Sequence, residues 1–190
     1  MAERSGGLWG YRLVFVALAA AIGFAQLLPL DPGPGRIPGP DVLMLLAFSW
    51  VIMRPEYVPV ALIAAVFFLA DLLFMRPIGL WTALVVLGSE FLRARTLMLR
   101  DAPFLVEWML VAGVVAAVFT ANALILALFA TTQSGLGLTV IALTATIIAY
   151  PLVVILAGRA VGLKKIVPGE VDRLGPVSYT HLTLPTTGIR

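Results

Sequence analysis

Apolar runs separated by short polar or Pro/Gly-rich breaks recur along the chain. Residues 13–28, 42–53, 57–74, 78–92, 104–130 and 138–156 form six such runs. None carries the polar face that a water-exposed helix needs. The pair 57–74 and 78–92 is joined by a turn at Met75, Arg76 and Pro77 and reads as a transmembrane helical hairpin. Each run holds a single acid near its end, Asp71 in the first and Glu90 in the second. At about 1.5 Å per helical residue, residues 57–74 are long enough to cross a hydrocarbon core of about 30 Å, whereas 78–92 needs its flanks. Residues 42–53 fit a re-entrant or partly sunk segment as well as a span, and 104–130 is long enough to tilt.

The breaks read as loops. Residues 30–40, LDPGPGRIPGP, hold four prolines and three glycines, which stiffen and extend a connection and exclude a helix. Residues 94–103 form a basic loop with Arg95 and Arg100, and 131–137 an uncharged turn. At the start, Arg4 and Arg12 flank Trp9 and Tyr11, an arrangement suited to a membrane interface. A signal peptide shares the basic start and apolar middle, but the run is long and further spans follow, so a retained first helix is expected.

Composition takes the class further. With 61% hydrophobic and 12% charged residues over 190 residues and a mean hydropathy of +1.05, the chain is too apolar for a soluble domain of this size. The expectation is an all-α polytopic membrane protein with about six transmembrane helices in one domain, residues 1–175. Cysteine is absent, which removes disulfides and thiolate metal sites from consideration. The net charge of +3 is scattered through loops without an aromatic-interleaved patch, so it points to topology rather than nucleic acid. With loops alternating sides, Arg4, Arg12, Arg54, Arg93, Arg95, Arg100, Arg159, Lys164, Lys165 and Arg173 fall on one face of the membrane. Only Arg36 and Arg76 fall on the other, so both termini are expected in the cytoplasm.

Residues 177–186, VSYTHLTLPT, are unlike anything upstream and resemble translated read-through of a sequencing adaptor. Residues 176–190 are therefore set aside, and with them His181, the single histidine.

Few polar residues are left for chemistry. Asp71 lies in an apolar run about a turn from its boundary, where it can reach headgroup water or pair with Arg76; an ion relay is the functional alternative. Glu90 precedes Arg93 by three residues, the spacing of a local ion pair on one helix face. Glu107 opens the fifth run beside Trp108, where a helix N-terminus favours a carboxylate. It can close a charge cluster with Arg93, Arg95 and Arg100, which serves as a topology anchor or faces a cytoplasmic partner. Asn122 is expected to meet a polar group on another helix. Gly113, Ala117 and Ala121, like Ala17, Ala21 and Ala25, recur every fourth residue, making faces where backbones approach closely. Pro151, next to Tyr150, removes a backbone donor and frees the carbonyl of Ile147, predicting a kink and a bond to that carbonyl from Thr146 or a neighbour.

No catalytic constellation emerges: there is no HExxH, GxSxG or phosphate-binding glycine loop, and no cofactor is implied. The segments RPEYVPV, ADLLF, RPIGLW and LVVLGSEFLRAR, with PGPDVLMLLAFSW before them and FLVEW after, resemble the rod-shape-determining MreD family in order and spacing. That resemblance implies a non-enzymatic inner-membrane subunit of the cell-elongation machinery. It implies binding to MreC, a single-span protein, and work with MreB, RodA and a penicillin-binding transpeptidase in peptidoglycan synthesis. It also implies a fold similar to the substrate-binding component of ECF vitamin transporters. Two other readings stand beside it. One is a transporter-like protein holding a small solute near Asp71, Asn122 and the kinked sixth run. The other is a lipid-processing enzyme in which the inner arginines with Glu90 and Glu107 grip a lipid phosphate.

Overall fold

Every apolar run becomes a helix, but three of the helices are much shorter than the long ones. The computed structural model describes residues 2–28, 38–100, 102–129 and 135–161. Among these there are seven helices and no strand: α1 Ala2–Leu27, α2 Val42–Met53, α3 Val60–Leu73, α4 Leu80–Arg93, α5 Thr96–Arg100, α6 Phe104–Leu128 and α7 Leu136–Val161. Most of the connections at 30–40 and 131–137, Lys164, Lys165, Arg173 and the adaptor-like tail lie outside the described residues. Within α1, α6 and α7, the segments Leu8–Leu27, Phe104–Leu128 and Gly137–Arg159 are long and apolar enough to cross a membrane. The chain is thus a helical membrane protein.

Local chemistry sets the shorter bounds. Pro59 is the N-cap of α3, so residues 54–59 are spent on a turn and only 14 residues of the run at 57–74 are helical. Helix α4 begins at Leu80 because Gly79 takes a left-handed conformation (φ +82°) that glycine adopts without penalty. In contrast to the plain loop expected over 94–103, residues 96–100 form the short helix α5, opened by Thr96, whose hydroxyl donates to the Arg93 carbonyl at 2.9 Å.

Helix α2 is the hub. Every residue from 43 to 53 is buried, which accounts for a sequence that is hydrophobic all round. It packs against α7, α4, α1 and α5, while α3 pairs with α4, and α6 with α4 and α7. At about 1.5 Å per residue its 12 residues extend about 18 Å, short of a bilayer core. A helix shielded by protein on all sides has no need to reach both lipid interfaces.

Consecutive long helices alternate in direction. The ends of α1, α3 and α6 and the beginnings of α2, α4 and α7 meet around one cavity, lined among others by Gln26, Asp41, Phe74, Trp81, Asn122 and Leu138. At the opposite end, Arg93 of α4 binds the turn between α2 and α3, and Tyr11 of α1 stacks on Tyr57 of that turn with ring centroids 4.4 Å apart. Arg12, Arg54, Arg93 and Arg95 therefore sit at that end, and Arg76 sits at the cavity end.

Candidate functional site

Two concave features and a set of buried polar contacts hold the residues singled out in the sequence. At the cavity end, Asp71 is fully buried, yet its carboxylate is not the partner of the Arg76 guanidinium. Its Oδ2 accepts from the Gly79 and Thr82 N–H groups at 3.1 and 3.2 Å and from the Thr82 hydroxyl at 2.8 Å. A carboxylate on the last turn of α3 thus caps the N-terminus of α4, where the exposed N–H groups and the helix dipole favour negative charge. Arg76 instead lies 3.7 Å from Asp41 Oδ2. That pairing joins residues 35 apart and gave no sign in the sequence, because only the fold brings them together.

Asp41 is the N-cap of α2. Its Oδ1 accepts from the Met44 N–H at 3.0 Å, and its own N–H donates to Thr146 Oγ1 at 3.0 Å. The Thr146 hydroxyl donates in turn to the Ala142 carbonyl at 2.7 Å. Thr146 therefore does not serve the carbonyl freed by Pro151. Trp108 does, its indole N–H donating to the Ile147 carbonyl at 3.0 Å across the α6–α7 interface. One residue earlier on α6, the buried Glu107 carboxylate accepts from the buried Tyr150 hydroxyl at 2.7 Å. The first turn of α6 is thereby fastened to the proline region of α7 twice.

The basic end is built on Arg93. Its Nε donates to Glu90 Oε1 at 2.7 Å, the local pair expected from the spacing. Its two remaining nitrogens donate to the Pro55 and Val58 carbonyls, both at 2.6 Å. All three guanidinium nitrogens are thus used, locking the last turn of α4 to the α2–α3 turn. Arg95 lies over the Phe91 ring, 3.5 Å from its centroid, and donates to the Phe91 carbonyl at 3.2 Å. The Arg100 side chain lies outside the described residues. Tyr57, in the α2–α3 turn, has its phenol pushed above the usual range by burial, with Arg54 opposing and Tyr11 and Glu56 adding to the shift.

The first concave feature is an apolar groove of about 380 Å³ between α4 and α6. Its floor includes Gly88, Gly113, Ala117 and Ala121, and its rims carry the exposed side chains of Leu87 and Met109. The small-residue spacing on α6 thus marks the wall of a groove. At Gly88 a Cβ would stand 3.0 Å from both Phe48 and Val114, so glycine lets α4 approach α2 and α6 closely.

The second is the cavity at the far end, about 570 Å³, and Asn122 lines it. Arg76, Gln26 and Thr139 join it there. Among the described residues, no group of three or more His, Cys, Asp or Glu side chains is placed to hold a metal ion. No protein-family model, curated protein or solved structure matches this chain.

Proposed function

We propose that this protein is a non-enzymatic membrane scaffold that holds the transmembrane helix of a single-span partner in the groove between α4 and α6. Lipid tails are as apolar as leucine, so helices associate in a bilayer through close packing rather than burial of greasy surface. A groove floored by Gly88, Gly113, Ala117 and Ala121 and rimmed by long side chains offers that packing, and it is the observation on which this reading rests. The resemblance to the MreD family supplies the partner, MreC, and the setting: the inner membrane, with MreB, RodA and a penicillin-binding transpeptidase acting beyond MreC in wall synthesis. The six longer helices are read as six crossings in an ECF-component-like arrangement with cytoplasmic termini. Their alternating directions and the basic residues gathered at one end support that reading.

Co-purification with MreC from the same genome, membrane helix included, tests this. The expected outcome is a stable complex that is lost when the MreC helix is exchanged for an unrelated one, and lost equally in Gly113→Leu or Ala117→Leu. A folded protein that forms no complex in detergent or nanodiscs, or a complex indifferent to groove filling, rejects the docking site.

A further inference from the structure

The cavity exists because the central helix starts late. Asp41 bonds to Thr146, which lies ten residues into α7, about 15 Å from its beginning at ~1.5 Å per residue. Above the N-terminus of α2, the flanking helices continue without it. The space they enclose, about 570 Å³, is within the range of small-molecule sites.

Its polar side chains include Gln26, Asp41, Arg76, Asn122 and Thr139. Among the described residues of the wall, Arg76 is the one cation, and its guanidinium lies 5.2 Å from the ring centroids of both Phe74 and Trp81, which orient the fork. The Asp41 carboxylate pairs with it only at long range. One oxygen is committed to the α2 N-terminus, and the other stands at 3.7 Å, beyond the ~2.7–2.9 Å of a charge-assisted hydrogen bond. The Arg76 side chain keeps 37% of its surface exposed, and its ion pair with Asp41 is too long for a hydrogen bond. Asn122 and Gln26 add amide groups, while Phe119, Leu126 and Leu138 supply apolar wall.

We propose that this cavity binds an oxyanion, carboxylate or phosphate, carried on a small apolar body. The anion takes the fork of Arg76 with help from Asn122, and the body lies against Phe119, Leu126 and Leu138. A lipid headgroup and a free amphiphilic acid both present this chemistry. The proposal does not depend on the scaffold reading, because the groove and the cavity share no lining residue.

The test uses the full chain in detergent with three probes of similar shape: benzylphosphonate, phenylacetate and the neutral phenylacetamide. The two anions are expected to raise the melting temperature and phenylacetamide is not. Arg76→Gln should weaken anion binding by at least about tenfold, the loss of a bidentate charged contact, with Arg76→Lys in between. Asn122→Leu, which removes the amide from the cavity wall and leaves the guanidinium in place, should weaken the response even if Arg76→Gln does not fold. Native mass spectrometry of protein loaded with phosphatidylglycerol separates the sources. A lipid retained by the wild type and lost in Arg76→Gln supports the site with a headgroup as occupant, and anion stabilisation without lipid retention supports it with a free acid. An equal response to phenylacetamide, an anion response unchanged in Asn122→Leu, or no response in either assay overturns the proposal.

Discussion

Pro151 leaves the Ile147 carbonyl without its helical donor, and an indole from another helix fills the gap. The local half of this was readable in the sequence, since a proline always deprives the carbonyl four residues earlier. The donor was not, because Trp108 stands 39 positions away and only the antiparallel packing of α6 and α7 brings it there. The same limit hid Tyr150 as the partner of Glu107 and Asp41 as the partner of Arg76. A double-mutant cycle reads the arrangement out. Trp108→Phe alone should cost about 1–2 kcal/mol of stability, the penalty of a partly buried carbonyl left unpaired. In a Pro151→Ala background the alanine restores the helical N–H, so the same change should cost less by about 1 kcal/mol. Equal costs in both backgrounds would show that the indole bond does nothing for that carbonyl.

At the scale of elements, helix positions were more legible than helix roles. The apolar run 42–53 coincides with α2, whose N-cap Asp41 stands where the run begins. Its shortness looked like a weakness in a span and is instead the signature of a helix enclosed by others. The run at 57–74 overreached because hydropathy does not register that Pro59 starts the helix. Asp71 shows how an acid in an apolar run is put to structural use. It is the cap of a helix other than its own, a role that the sequence, which offered headgroup water, a pairing with Arg76 or an ion relay, did not suggest. Asp71→Ala should cost about 2–3 kcal/mol in denaturant unfolding, because it strands two N–H groups at the start of α4. Asp71→Asn, which keeps one acceptor oxygen, should cost about 1 kcal/mol. Were Asp71 an ion relay instead, the two variants would fail alike in transport with stability intact.

Across the whole molecule, the two concave features are separate, the groove between α4 and α6 and the cavity above α2. Disrupting one should leave the other working: Ala117→Leu is expected to abolish partner co-purification while preserving stabilisation by benzylphosphonate, and Asn122→Leu to weaken that stabilisation while preserving co-purification. Loss of both properties in either variant would mean that the substitution had disturbed the fold rather than a site.

The enclosed central helix also changes how the molecule meets its solvent. Among the described residues, only α1, α6 and α7 contain stretches long enough to match the hydrocarbon thickness, and each carries exposed apolar side chains. In a thicker or thinner bilayer, these are the helices that tilt to relieve hydrophobic mismatch. Helix α2, buried within the protein from residue 43 to 53, offers lipid no such surface, so the floor of the cavity is expected to keep its depth as lipid composition varies.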